Sequence, residues 1–179
     1  MTTRDKAKQV IAEIVRQSTA ERMRGKTKLF KAFYFAHLYY AKANVDYLTD
    51  WPIVRMPNGP GIDKFQPLLN ELIHEGILNV SDELEGPYPI RVFVFQASDW
   101  EPLPEEDLAA IREAVIFVQN RSGGNLSDLT HDSSRSWLAA RDGEELSIYL
   151  DLLTDQEYED SKRRHDELEA CYSDRTAFP

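Results

Sequence analysis

Lys28-Leu29-Phe30-Lys31-Ala32-Phe33-Tyr34-Phe35-Ala36-His37-Leu38-Tyr39-Tyr40, followed closely by Trp51-Pro52-Ile53-Val54-Arg55-Met56-Pro57-Asn58-Gly59-Pro60-Gly61, is the stretch that decides the fold. In the first half, Leu29, Phe33, Ala36 and Tyr40 share one helical face, and Phe30, Tyr34 and His37 share the next. A helix apolar around so much of its circumference is buried on several sides. It is the expected central core helix, with Thr27 placed to cap it. In the second half, Pro52 and Pro57 interrupt any helix and push the residues before them toward extended geometry. Residues 53–56 then read as a short strand and Asn58-Gly59-Pro60-Gly61 as a turn.

Working outward, residues 5–17 place Ala7, Val10, Ile11 and Ile14 on one helical stripe, and residues 18–25 form a polar connection. After the turn, Phe65, Leu68, Leu69, Leu72 and Ile73 make the inner face of a helix that Gly76 ends. Residues 77–81 and 89–95 read as two strands joined by an acidic loop, the second rich in β-branched and aromatic residues. A helix pair followed by such a hairpin is winged-helix-like. Pro104, with Glu105, Glu106 and Asp107 behind it, opens a helix whose stripe is Leu108, Ile111, Val115 and Val118. Residues 125–138 read as two short helical pieces broken near Asp132, and residues 148–150 as a short extended piece. Thr154 and Glu157 form a capping box for a last helix reaching Tyr172. The fold expected is mainly α with a small β-hairpin, in one domain spanning residues 1–179.

Charge and composition narrow the function. Net charge is −10, but residues 1–31 hold nine Lys/Arg against three Asp/Glu, a net of +6, which leaves −16 on the other 148 residues. Such a field opposes general binding to nucleic acid, whose affinity comes largely from neutralised phosphates; it suits a basic protein partner and equally a surface that simply keeps the protein soluble. The lone Cys171 has no disulfide partner within the chain and points to a reducing cytoplasm. No apolar run is long enough to span a bilayer.

Ala20-Glu21-Arg22-Met23-Arg24-Gly25-Lys26-Thr27 fits a relaxed phosphate-loop pattern, yet it holds one glycine and bulky charges, and the segment before it reads as a helix. Thr130-His131-Asp132-Ser133-Ser134 groups a hydroxyl, an imidazole and a carboxylate, but adjacency along a chain does not assemble a triad. His131 reads as a structural histidine and Asp132 or Ser133 as a helix cap. His37, His74, His131 and His165 are scattered without ligand spacing, so neither a metal nor another cofactor is expected. The would-be recognition helix exposes Asp63, Lys64, Gln66, Asn70, Glu71, His74 and Glu75, and the would-be wing Asp82, Glu83 and Glu85, together the wrong sign for phosphate. The last helix carries a thin seam of Tyr158, Ser161, His165, Leu168 and Tyr172, with Phe178 beyond it.

Three blocks of this sequence resemble the Panacea domain, the antitoxin domain of the SocA-like family of bacterial and phage proteins. The first runs from Lys28-Leu29-Phe30 to Ala36-His37-Leu38. The second is Arg55-Met56-Pro57-Asn58-Gly59-Pro60, with Leu69 and Leu72 behind it. The third is Leu126-Ser127-Asp128-Leu129-Thr130-His131 followed by Trp137. They span about residues 28–143, so helix 5–17 and the acidic helix 155–172 lie outside the match as extensions. The resemblance implies a mainly helical fold, no catalytic residues, and neutralisation of a nearby-encoded toxin by direct binding. On that reading Leu29, Phe30, Pro57, Gly59, Pro60, His131 and Trp137 are structural. Arg55, Asn58, Arg163, Arg164 and Tyr172 are the expected partner contacts, since anchors need accessible positions with distinct polar groups. Self-association stays open, and a winged-helix regulator acting on DNA through residues 4–31 is the alternative.

Overall fold

The computed structural model describes residues 1–44 and 46–175, with side chains as far as Cys171. The protein is mainly α with a small antiparallel β component, 58% helix and 16% strand. Helix α1 (Thr3–Arg16) opens on a capping box between Thr2 and Asp5 and buries Ala7, Val10, Ile11 and Ile14 completely. Helix α2 (Lys26–Ala43) is the centre, with Leu29, Phe30, Phe33, Tyr34, Ala36 and His37 all buried. Helix α3 (Phe65–His74) packs Phe65, Leu68, Leu69 and Leu72 inward, and α4 (Glu105–Gln119) lies along α2 through Leu108, Ile111, Val115 and Val118. No described helix is long and apolar enough to cross a membrane.

Strands β4 (Leu78–Glu85) and β5 (Tyr88–Phe95) form an antiparallel hairpin after α3. Strand β1 (Arg22–Arg24) pairs with the other edge of β5, giving a sheet ordered β1-β5-β4. A second hairpin, β2 (Ile53–Met56) with β3 (Gly59–Ile62), sits against α2. Its outer edge is occupied by residues 143–146, which exchange backbone bonds with Ile53 and Arg55. Helices α5 (Gly123–Ser133) and α6 (Arg135–Ala139) follow, then a 3-10 turn (Ile148–Leu152) and the long α7 (Asp155–Arg175).

The structure corrects several expectations. The connection at residues 18–25 contains a 3-10 turn and β1, a strand of Arg-Met-Arg that exists because β5 offers an edge. Thr27 does not cap α2; Gly25 does, with no side-chain bond. Gly59-Pro60-Gly61 is strand rather than turn, the turn being Pro57-Asn58. The supposed acidic loop of residues 82–85 continues β4, leaving Gly86-Pro87 as the tip. Ile73 is 41% exposed. Ser134, not Asp132 or Ser133, caps α6 by accepting from Trp137 N. Residues 148–150 are 3-10 helix. The Thr154–Glu157 capping box forms as read.

Candidate functional site: a hairpin turn held from three sides

The β2–β3 turn is where residues remote in sequence meet. From below, Lys31 on α2 donates through Nζ to Asn58 O at 2.6 Å and Pro60 O at 3.4 Å. Lys31 is 1% exposed and meets no carboxylate among the described residues. Burial pushes its ammonium down to about 7, because a low-dielectric surrounding disfavours the charged form. Gly59 allows this approach. Its φ is +93°, and a β-carbon there would collide with Lys31 Nζ and lie 2.5 Å from Thr130 Oγ1. Thr130 reaches that position because its hydroxyl bonds back to Leu126 O and Ser127 O on α5.

From the side, Trp137 Nε1 donates to Met56 O at 3.0 Å. Its ring has two partners: His131 stacks on it at 4.3 Å and 17°, and the Arg55 guanidinium lies over it at 3.9 Å. Arg55 also donates to Trp137 O at 2.7 Å, to Ala140 O at 2.9 Å and to Asp142 at 3.0 Å. The guanidinium thus supplies acceptor-rich chain ends with donors while its flat face covers an indole. His131 Nε2 is buried without a hydrogen-bond partner. Behind this stack, Asp151 accepts from Tyr34 OH (2.8 Å), Ser134 Oγ (3.2 Å), Ser136 N (2.9 Å) and Ser136 Oγ (2.5 Å), tying α2, α6 and the 3-10 turn together. Burial, reinforced by Asp151, raises the Tyr34 phenol well above its ordinary range.

What remains exposed on this frame is small: Pro57 and Asn58 at the turn. Among the expected partner contacts, the structure brings Arg55 and Asn58 together, yet Arg55 is committed to the stack and acts as a positioning group. Arg163 lies away on α7 paired with Asp160 at 2.9 Å, and Arg164 is exposed on the same helix. The side chain of Tyr172, like all of Phe178, lies outside the described residues. Of the α7 seam, Tyr158 receives Arg135 at 4.8 Å from its ring centre, while Ser161, His165 and Leu168 are exposed. Leu29 is fully buried and Phe30 nearly so, Phe30 meeting Phe65 edge to face.

Sequence reasoning passed over Lys31 and Asp151. The signal for Lys31 was a lone cation inside an otherwise apolar helix circumference. Asp151 carried no local signal, because its partners come from two other elements.

The phosphate-loop pattern acquires its strand and helix, β1 and α2, but not the loop. Gly25 N is bonded to Arg91 O and residues 22–24 are paired with β5, so no ring of free amides surrounds a phosphate. The basic N-terminal segment is also largely spent within the molecule. Arg4 pairs with Glu71, Lys6 with Asp107, Lys8 with Glu71 and Glu75, Arg16 with Glu13, and both Arg22 and Arg24 with Glu83. Among the described residues no cluster of His, Cys, Asp and Glu has the arrangement of a metal site. No family model, no curated protein and no solved structure matches the chain.

Proposed function

We propose that this chain is a protein-binding module of the antitoxin type, which neutralises a partner toxin in the cytoplasm by direct complex formation. The observation that supports the reading is the convergence of the three resemblance blocks on one turn. Lys31 from the first block, Arg55 to Pro60 from the second, and Thr130, His131 and Trp137 from the third are in mutual contact. These residues, remote in sequence, build one unit. Its product is a rigid, exposed two-residue tip. Pre-organised loops bind with less loss of conformational entropy than mobile ones, and loops held on a rigid scaffold are common recognition sites.

A DNA-binding reading draws less support, because it needs the cations of residues 4–31 and six of those nine are in intramolecular ion pairs. The test of the antitoxin reading is growth rescue. A small protein encoded beside this chain should arrest growth when expressed alone. Co-expression of this chain should restore growth, and the two should co-purify as a complex of fixed stoichiometry. Asn58→Arg should abolish rescue while leaving the fold intact by circular dichroism. Arrest without rescue and without complex would overturn the reading.

A further inference from the structure

We propose that the cavity between the first turns of α2 and the β2–β3 turn is a carboxylate-binding site, taking a monoanionic carboxylate carried on a short apolar stem. The cavity has a volume of about 180 Å³, room for several water-sized groups. Its rim is exposed and includes Lys26 and Pro57; its floor is buried and includes Phe30, Lys31 and Pro60.

Lys31 is the reason for a ligand. An ammonium has three N–H donors and no acceptor. Two of those donors meet carbonyl oxygens, Asn58 O and Pro60 O, which accept hydrogen bonds without cancelling the charge. The groups around it are Lys26, Thr27 and Phe30 from its own helix, Thr130 from α5, and Met56 with the turn itself, none of them anionic. A buried charge without a counter-charge is costly. Its depressed proton affinity, near 7, is the same cost expressed as titration. Lys26 places a second cation at the mouth, 5.1 Å from the Phe30 ring centre and with no carboxylate partner among the described residues.

The walls choose among anions. Phe30, Met56, Pro57 and Pro60 contribute apolar surface, which suits a methylene stem. A phosphate would bring more charge and more acceptor oxygens than one buried ammonium can satisfy, whereas a carboxylate brings two oxygens to Lys31 and Lys26. The same chemistry is offered by a free short-chain acid or by the glutamate side chain of a partner segment. The inference does not depend on the partner being a toxin.

The experiment is an NMR titration of the full chain with its lysine side chains isotopically labelled. The probes are butyrate, the blocked peptide acetyl-Ala-Glu-Ala-amide, and butyramide as the uncharged control. An anion beside Lys31 should raise its titration midpoint from near 7 by about 1–3 pH units. By linkage, the anionic probe should bind about 10-fold or more tighter below that midpoint than above it. Lys31→Met should remove saturable binding and Lys26→Ala should weaken it. Whichever of butyrate and the peptide binds more tightly identifies the source. If neither anion moves the Lys31 midpoint, or if butyramide moves it equally, the site is not a carboxylate site. The midpoint is read on the unmodified protein, so the test stands even if Lys31→Met fails to fold.

Discussion

At Gly59 the φ of +93° and the contact with Lys31 Nζ are separate demands that only glycine meets together. Alanine would carry its β-carbon into both Lys31 Nζ and Thr130 Oγ1, so the ammonium or the turn must move. We expect Gly59→Ala to destabilise the protein by about 2–4 kcal/mol, read as a shift in the urea midpoint. Gly76→Ala, where φ is also positive but the space is open, should cost less. An equal cost at the two sites would show that strain alone matters and that the packing of Lys31 under the turn does not. His37 supplies a second residue-scale test. It is fully buried between Phe33 O and Thr49 O, and burial holds its imidazole down to about 4, below the ordinary 6.5. Between those pH values the unfolded chain binds more protons than the folded one, so stability falls as pH drops from 6.5 toward 4. The loss attributable to His37 is about 3 kcal/mol. Chemical denaturation at several pH values should show that His37→Gln, whatever its stability at pH 7, lacks this share of the acid loss. Identical pH slopes for variant and parent would contradict the depressed imidazole.

Elements differ in how far they could be read from local pattern. Helices α1, α3 and α4 announce themselves through stripes that bury, Ile73 of α3 excepted, and α2 through an apolar circumference. Strands β1 and β3 do not, because Arg-Met-Arg and Gly-Pro-Gly-Ile have no strand pattern of their own and become strand only beside β5 and β2. The three blocks were legible as segments. Their meeting at the β2–β3 turn was not, since it depends on Lys31 and Trp137 reaching across from separate elements. Helix α7 is the opposite case: easily read, hardly packed. Asp155 and Tyr158 in its first turn both meet Arg135, and residues 161–171 are all exposed. A helix without a buried face adds little to the stability of the rest. Truncation after residue 160 should therefore change the urea midpoint by no more than about 0.5 kcal/mol equivalent. In the rescue assay the same truncation separates two surfaces. Full rescue would assign recognition to the turn, and lost rescue with an intact fold would assign it to α7.

Over the whole molecule, the charge asymmetry of the sequence is folded back on itself. The N-terminal +6 is not presented as an arm; Arg4, Lys6 and Lys8 lie on α1 against Glu71, Glu75 and Asp107, and Arg22 and Arg24 bind Glu83 on the neighbouring hairpin. These pairs have a consequence for polyanions. A duplex gains affinity only from cations free to replace its counterions, and binding weakens with salt in proportion to their number. Of the nine Lys/Arg in residues 1–31, Lys31 is buried under the turn, which leaves Lys26 and Lys28 without ion pairs among the described residues. Two such contacts correspond to a loss of only about 10-fold between 50 and 200 mM salt, where six to ten would give about 10³–10⁵. Fluorescence anisotropy with a labelled duplex should accordingly find binding weak at 50 mM and only about 10-fold weaker at 200 mM. A steep salt slope would mean that the ion pairs open in solution, and the basic segment would then be a nucleic-acid surface after all. A shallow one leaves the basic segment spent on the protein's own carboxylates and the acidic body to repel nucleic acid.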